Sequence, residues 1–220
     1  MALHATESQT EHGLLVEVPF VRSDLAELWA SLRPEEHAVG PRFADRRKLT
    51  FAAGRFALRR ALTAAGVQMA DPIVPNHRGA PTLPEHVRGS ISHKDALACA
   101  LVTLDEPGFI GVDVEDHRAL EDGVMRMLLT EQERANLPDD AASRCQLVLQ
   151  TFSLKEALYK AIDPYFGRYI DFLEVEVWPT PDGTARVDLK DVDRSCPLDI
   201  DARWFDSGPH VISTVRARRR

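Results

Sequence analysis

An alternating stretch in the middle of the chain is the feature that most constrains its fold. Residues 110–117 read Ile-Gly-Val-Asp-Val-Glu-Asp-His, which places Asp113 and Glu115 on either side of one valine. Side chains two apart on a strand project from the same face, so the pattern predicts a strand with these two carboxylates side by side. Like charges at that spacing repel each other. We therefore expect a metal ion or a basic side chain between them, unless that face is open to water.

The composition excludes several classes of protein. Of the 220 residues, 44% are hydrophobic and 28% charged, which is typical of a globular protein with one or two compact units. The formal net charge is −7, so we expect no nucleic-acid partner, and any anion site must be local. No apolar run approaches the roughly 18 residues that span a bilayer, and the first residues do not resemble a secretory signal. We expect a cytoplasmic protein with no membrane partner.

The hydrophobic patterns predict helices mixed with short antiparallel strands. Apolar residues at helical spacing predict helices over 24–32, 42–65, 119–137 and 145–162, the last ending before Pro164. Alternating runs predict strands over 14–20, 90–93, 96–104, 108–116, 172–179 and 184–190, with a final hairpin across 202–217. Prolines and glycines predict a loop over 72–84. This order indicates an α+β fold rather than alternating βαβ units.

The helix that bears Phe-Ser-Leu-Lys-Glu-Ala-Leu-Tyr-Lys, residues 152–160, carries the second set of charged residues. Glu156 and Lys160 are four apart and share a face, whereas Lys155 is rotated by about 100° from Glu156. Such a Glu–Lys pair is commonly a solvated helix stabiliser, but the apolar neighbours leave little polar surface on this helix. If Glu156 meets the two strand carboxylates, the three form a hard oxygen site that suits Mg²⁺ and leaves positions open for phosphate oxygens.

Two further groups of residues have side chains suited to phosphate. Arg47 and Arg55 are eight apart on the predicted helix, so they share a face and could clasp one phosphate group. The alternative is a solvated basic helix face. Ser92 and His93, in the turn Gly-Ser-Ile-Ser-His-Lys, could donate to phosphate oxygens, although a lone Ser-His pair is usually structural.

Five motifs now stand in one order along the chain: RRKLTFAAGR, NHRGAP, GSISH, IGVDVE and FSLKEALYK. This order, over about 42–172, resembles the 4′-phosphopantetheinyl transferases of the larger, single-chain type that serve siderophore, nonribosomal peptide and polyketide synthesis. The resemblance implies two similar α+β halves related by a pseudo-twofold axis, each a small antiparallel sheet packed with helices. Coenzyme A would lie in the cleft between them. We expect residues 1–111 to bind the nucleotide end and phosphates, and residues 112–220 to carry the metal ligands and catalytic helix.

The resemblance also implies a reaction: Mg²⁺-dependent transfer of 4′-phosphopantetheine from coenzyme A to a carrier-protein serine, with release of adenosine 3′,5′-bisphosphate. The metal ligands would be Asp113, Glu115 and Glu156, with Glu156 as candidate base. Lys155 and Lys160 would contact the pyrophosphate or assist the leaving group. The nucleotide end and phosphates would be bound by Arg47, Arg55, Ser92 and His93. Ala80 departs from the family pattern, because a lysine often stands there, and Arg78 would replace it.

The acceptor implied is an acyl or peptidyl carrier protein, which requires a docking surface beside the cleft. We expect it in the region 119–137, whose apolar residues could instead be core: Val124, Met125, Met127, Leu128 and Leu129. Two fused halves that form one cleft predict a monomer. Two other functions compete: another Mg²⁺-dependent enzyme acting on a nucleotide diphosphate, such as a pyrophosphohydrolase, or a non-catalytic carrier-binding module. Such a module would be expected to lose a metal ligand or helix lysine, and this chain keeps them.

Overall fold

The computed structural model of the protein describes residues 3–104, 107–118, 122–190, 192 and 197–220. Within these ranges the helices are α1 (Leu25–Ala30), α2 (Pro34–Val39), α3 (Asp45–Ala64), α4 (Asp122–Leu128), α5 (Glu131–Ala135) and α6 (Ala141–Phe166). The strands are β1 (Thr6–Thr10), β2 (Gly13–Pro19), β3 (Val87–His93), β4 (Leu97–Leu104), β5 (Phe109–Asp116), β6 (Glu176–Pro179), β7 (Thr184–Asp188), β8 (Leu198–Ser207) and β9 (His210–Arg219). Short 3₁₀ turns lie at Arg22–Asp24 and Phe172–Glu174.

The two halves of the chain repeat one arrangement of strands and helices. The first sheet has the order β1-β2-β4-β3 and the second the order β5-β9-β8-β7-β6, and all strand pairs are antiparallel. In each half a strand is followed by two short helices, one long helix and two strands that complete a shared three-strand order, β2-β4-β3 or β5-β9-β8. In the second half β6 and β7 come between the long helix and those two strands. The α+β fold with two similar halves is therefore confirmed. A division after residue 111 would cut β5, which belongs wholly to the second sheet.

Three apolar clusters hold this arrangement together. In the first half α3 packs on the first sheet through residues such as Leu58 and Val102, and in the second half α6 packs on the second sheet through residues such as Leu158 and Val215. A third cluster lies between the sheets, where the even-numbered side chains of β5 meet β2 and β4: Ile110, Val112, Val114, Leu15, Leu97, Cys99 and Leu101. Burial of each large side chain there contributes about 1.5–3 kcal/mol.

The other face of β5 packs against α6. A Cβ atom at Gly111 would lie 1.9 Å from the carbonyl oxygen of Ala157, so only glycine lets the helix backbone approach this closely. Asp113 and Glu115 project from that same face, and the contact brings them beside the middle of α6. The strand predicted for this stretch, with its two carboxylates on one face, is confirmed.

The boundaries of several elements differ from the prediction. α6 does not stop before Pro164 but continues to Phe166, because a proline in the last turn removes only one hydrogen bond. The helix ends at Gly167, which has a left-handed conformation with φ of 59°. The region 119–137 forms two short helices, and its first residues, 119–121, lie outside the described part of the chain. β1 and α2 were not predicted, since β1 (Thr-Glu-Ser-Gln-Thr) has no apolar side chain to signal a strand.

No helix in the ranges that the structure covers has the length and the apolar character needed to cross a bilayer.

Candidate active site

A cavity of about 570 Å³ lies between the two halves. Its walls come from α3, the loop over 72–84, and β3 in the first half, and from β5 and α6 in the second. Its volume is within the range of small-molecule and cofactor sites. The polar and aromatic residues that line it are Phe43, Arg47, Phe51, Arg55, Arg78, Ser90, His93, Tyr159, Lys160 and Asp163.

The two carboxylates of β5 each meet a lysine, and one of these lysines, Lys160, lines the cavity. Lys160 Nζ lies 2.9 Å from Asp113 Oδ1, and Lys94 Nζ lies 2.6 Å from a carboxylate oxygen of Glu115. Both carboxylates are buried, with only 4% of each residue exposed. Burial raises the pKa of Glu115 to about 7, and the neighbouring Asp113 charge adds to the rise, while Lys94 opposes it. In this structure each acid pairs with its own lysine, and a basic partner is one of the alternatives that the sequence predicts.

Glu156 lies on α6 near the same two lysines and accepts no hydrogen bond from any residue that the structure describes. Its pKa is raised, first by burial and then by the negative charge of Asp113, and Lys160 and Lys94 partly oppose this rise. These influences show that α6 brings Glu156 within electrostatic reach of Asp113. In the absence of a metal ion, such a carboxylate holds a proton more readily than one in water.

The donors present suit a hard divalent cation. Asp113 Oδ2 is buried without a hydrogen-bond partner, an arrangement that a cation would satisfy. In this arrangement of side chains, however, no three His, Cys, Asp or Glu residues of the described ranges are grouped closely enough to hold a metal ion. The carboxylates of Asp113, Glu115 and Glu156 have the oxygen ligands that Mg²⁺ prefers, but in this arrangement they do not form one site, and Lys160 and Lys94 pair with Asp113 and Glu115.

Arg47 and Arg55 line the same wall of the cavity, as their spacing on one helix predicts. Arg55 is 7% exposed, donates from Nε to the carbonyl oxygen of Ile73 at 2.7 Å, and stacks over the ring of Phe51. Burial lowers the pKa of Arg55 to about 10, so it remains a cation at neutral pH. Arg47 is exposed and lies 3.3 Å from Nε2 of His93. Two fixed positive charges therefore face a cavity in a protein of negative net charge.

His93 is neutral at physiological pH. Burial and the positive charge of Arg47 lower its pKa to about 4. Because arginine only donates, Nε2 of His93 is the acceptor in its contact with Arg47, which leaves the proton on Nδ1. The ring lines the cavity as a neutral hydrogen-bonding group beside a cation.

Arg78 lines the cavity but is engaged by the second half of the chain. Its guanidinium forms a bidentate pair with the carboxylate of Asp163 on α6 and donates to the carbonyl oxygen of Gly167 at 3.1 Å. The hydrogen bond to Asp163 raises its pKa. In this arrangement the side chain connects the loop over 72–84 to the end of α6 rather than standing free for a phosphate.

Ser92 contacts the carboxylate of Asp113 and does not line the cavity. Its hydroxyl donates to Asp113 Oδ1 at 2.8 Å, across the boundary between the two halves. The neighbouring Ser90 Oγ accepts from the backbone N–H of Val112 at 3.1 Å. β3 thus fixes the position of β5, and Ser92 orients the Asp113 side chain that Lys160 also contacts.

The predicted contact of Lys155 with pyrophosphate is wrong. The residue is 0% exposed, and its ammonium donates to Glu133 Oε2 at 2.7 Å and to the carbonyl oxygens of Leu128 and Phe172 at 2.9 and 2.8 Å. These three bonds use all three protons of the ammonium group. The rotation of about 100° from Glu156 turns Lys155 into the protein interior, away from the cavity.

Two site residues were missed from the sequence. Lys94 follows the predicted Ser-His pair directly and forms the ion pair with Glu115. Tyr159 lines the cavity three residues after Glu156, and its hydroxyl is buried without a hydrogen-bond partner in the described chain. Burial raises its pKa. Its spacing from Glu156 on the helix was the available signal, but the apolar pattern indicated core packing.

Family models match both halves of the chain. A model of the 4′-phosphopantetheinyl transferase N-terminal domain matches residues 35–103. A model of the 4′-phosphopantetheinyl transferase superfamily matches residues 109–215. The boundary between the two matches falls just before β5, where the second sheet begins.

Curated relatives agree with these matches. The chain is 35% identical to the 4′-phosphopantetheinyl transferase Svp of Streptomyces mobaraensis over 71% of its length, and 31% identical to PptT of Mycobacterium tuberculosis over 69%. These alignments span 65% and 66% of the two relatives, slightly less than two thirds of each. The 4′-phosphopantetheinyl transferase Npt of Nocardia iowensis is 34% identical, with 82% of this chain and 86% of Npt covered.

A solved structure, the Chronobacterium ammoniagenes ACPS-CoA complex, matches 50% of this chain and 96% of that chain with a TM-score of 0.41 and 19% identity. The two family models together span most of the chain, and Npt matches over nearly its full length. The chain therefore belongs to the 4′-phosphopantetheinyl transferase superfamily.

Proposed function

We propose that the protein transfers 4′-phosphopantetheine from coenzyme A to a serine of an apo acyl or peptidyl carrier protein. The observation that carries this proposal is the cavity itself, in which Arg47 and Arg55 from α3 face Lys160 from α6, and Lys160 in turn pairs with Asp113. A nucleotide diphosphate is anionic along its length and requires such cations. A serine acceptor requires a carboxylate that takes up a proton, and Glu156 stands one helical turn before Lys160, which lines the cavity.

In this proposal the first half of the chain binds coenzyme A. Arg47 and Arg55 supply charge-assisted hydrogen bonds to phosphate oxygens, and His93 adds a neutral donor. Phe43 and Phe51 lie under the two guanidinium groups, with ring centroids 5.5 and 4.4 Å from the arginine carbons, and so limit where these groups can point.

The transfer step uses the second half. The serine oxygen attacks the phosphorus next to the pantetheine arm, and its proton passes to Glu156. The bond from that phosphorus to the bridging oxygen breaks, and adenosine 3′,5′-bisphosphate leaves with the electron pair. Lys160 uses two of its three protons on Val112 O and Asp113 Oδ1, which leaves one for the departing phosphate. Asp113 and Ser92 hold that lysine in place.

Asp113, Glu115 and Glu156 would hold the Mg²⁺ ion. Bound there, it would neutralise the diphosphate and the developing charge on the leaving group. Lys94 would then no longer be the main counter-ion of Glu115. We therefore expect chelation of divalent cations to abolish transfer and added Mg²⁺ to restore it.

The acceptor surface lies beside α6 in this proposal. On α4, Val124 and Met127 are 39% and 73% exposed, and Leu173 of the neighbouring 3₁₀ turn is 45% exposed. Leu128 and Leu129 are buried, so only part of the predicted docking residues is available. Arg126 is exposed between the apolar side chains, so an amphipathic carrier helix with acidic residues fits this surface. We refer to Val124, Arg126, Met127 and Leu173 as the acceptor face.

Incubation with coenzyme A, Mg²⁺ and a panel of apo fatty-acid, polyketide and peptide carriers tests the function. We expect the carrier to gain the mass of phosphopantetheine, as measured by intact-protein mass spectrometry. Hydrolysis of coenzyme A without carrier modification would instead identify a pyrophosphohydrolase. Carrier binding without either reaction would identify a binding module. We also propose that the protein acts in the cytoplasm as a monomer, since both walls of the cavity come from one chain.

A further inference from the structure

Each half of the protein buries one glutamate in the same setting. Glu36 is the third residue of α2 and Glu133 the third residue of α5, and each accepts the backbone N–H that precedes its own helix. Each also accepts a backbone N–H from a distant segment, Ile73 in the first half and Val177 in the second, at 2.6 and 2.8 Å. Both glutamates are at most 4% exposed.

Each of these glutamates pairs with a cation on the long helix of its own half. Arg59 of α3 pairs with Glu36, and Lys155 of α6 pairs with Glu133. Burial alone would raise the pKa of Glu36, but hydrogen bonds from Arg59 and from two backbone groups lower it. Since the order of strands and helices repeats between the halves, Lys155 occupies in the second half the place that Arg59 occupies in the first. Arg59 does not line the cavity and is a structural counter-ion of Glu36.

Lys155 makes two contacts that go beyond this shared role. Its remaining protons go to the carbonyl oxygen of Leu128, at the end of α4, and to that of Phe172, at the start of the 3₁₀ turn. These residues directly adjoin Met127 and Leu173, both on the acceptor face. Phe172 also packs its ring against Tyr159, which lines the cavity, with centroids 5.1 Å apart.

We propose that Lys155 is a positioning residue that fixes the acceptor face to the catalytic helix. This inference rests on the proposed function for its kinetic consequence, but not for its structural one. One ammonium group binds α4, α5 and the 3₁₀ turn to the residue next to Glu156. The carrier serine would then approach Glu156 along a surface whose distance from the helix is set by three hydrogen bonds.

The test compares Lys155→Met with Arg59→Met. Each variant leaves a buried glutamate without its cation, so both should lower the midpoint of thermal unfolding. Hydrogen exchange followed by mass spectrometry should show faster exchange over residues 122–129 and 171–175 in Lys155→Met only. Unchanged protection of these segments would overturn the proposal whether or not the protein transfers phosphopantetheine.

Steady-state kinetics supply the second measurement. In Lys155→Met we expect the KM for the carrier to rise roughly tenfold, which corresponds to the loss of a buried charged hydrogen bond. The KM for coenzyme A should change less than about twofold. Arg59→Met should leave the carrier KM unchanged. A fall in kcat with an unchanged carrier KM would show that Lys155 acts in the chemistry and would contradict the proposal.

A double variant, Lys155→Met with Glu133→Gln, guards against failure to fold. Because Glu133 then no longer needs a counter-ion, the double variant should be more stable than Lys155→Met alone. Its exchange over the two segments should still exceed that of the natural chain, and Lys155→Arg should recover part of the protection. Absence of wild-type transfer in the same assay would refute the proposed function while leaving the exchange result valid.

Discussion

The two long helices occupy equivalent places in the two halves but present different chemistry to the shared cavity. α3 contributes Arg47, Arg55 and the ring of Phe51 to the cavity, and none of its lining residues is a carboxylate. α6 contributes Tyr159, Lys160 and Asp163, with Glu156 beside them. A helix with only cations can hold an anion but cannot take up a proton from a nucleophile. In the proposed function, this difference divides the repeated scaffold into a half that binds coenzyme A and a reacting half.

Loss of the carboxylate on α6 should have the largest effect. Glu156→Gln removes the proposed proton acceptor, which is also a proposed metal ligand, while it keeps the size of the side chain. We expect the rate of carrier modification to fall roughly 10²–10⁴-fold, the usual contribution of general acid–base catalysis. Quenched-flow mass spectrometry would measure it, with circular dichroism as a control for folding. A near-normal rate would remove Glu156 from the reacting half.

A change on α3 should affect binding rather than rate. Arg47→Ala removes an exposed cation that faces the cavity, and a hydrogen bond to a charged group is worth about 1.5–3 kcal/mol. The KM for coenzyme A should therefore rise roughly tenfold or more, with kcat nearly unchanged. Lys48→Ala, a change on the same helix outside the cavity, is the matched control. An effect on kcat alone would break the division between the helices.

The burial of His93 in the first half should appear in the pH dependence of stability. Its folded-state pKa of about 4 lies below the ordinary value of 6.5, so the unfolded chain binds the proton first as the pH falls. His93 therefore disfavours folding progressively as the pH falls from 6.5 towards 4. We expect His93→Asn to lose less stability than the natural chain between pH 7 and pH 5 in urea titrations. An equal loss in both would contradict a half-buried, neutral His93.

The smallest effect should come from the contact that joins the loop over 72–84 in the first half to α6 in the second half. Arg78→Ala breaks the pair with Asp163 across the cavity, so the midpoint of thermal unfolding should fall slightly. Arg46→Ala breaks an exposed pair with Asp95 within the first half and should change the midpoint less. Differential scanning fluorimetry would compare them. A larger effect for Arg46→Ala would show that the Arg78 contact does not help to hold the halves together.

Much of the reacting half could be predicted because its signals are local. The alternation around Asp113 and Glu115 fixes a strand face, and helical spacing places Glu156 and Lys160 together. The motif order then identified the family. The sequence could not reveal that Gly111 lets α6 approach β5, because that approach depends on tertiary packing.

The erroneous prediction for Lys155 has a similar cause. Adjacent residues on a helix point about 100° apart. Lys155 and Glu156 could therefore contact the same site only from its two sides. The partner that decides the outcome is Glu133, which lies 22 residues away on another helix. No local pattern marks that pairing. The equivalent pair of Glu36 and Arg59 becomes recognisable only after the strand order shows that the halves repeat.

Isothermal titration calorimetry of coenzyme A binding, with EDTA and without carrier, tests most directly whether one half binds and the other reacts. Under these conditions binding depends on protein groups alone. We predict that Arg47→Ala weakens the affinity roughly tenfold, whereas Glu156→Gln leaves it unchanged or slightly stronger because a negative charge is lost. Weaker binding in Glu156→Gln together with unchanged binding in Arg47→Ala would contradict the account.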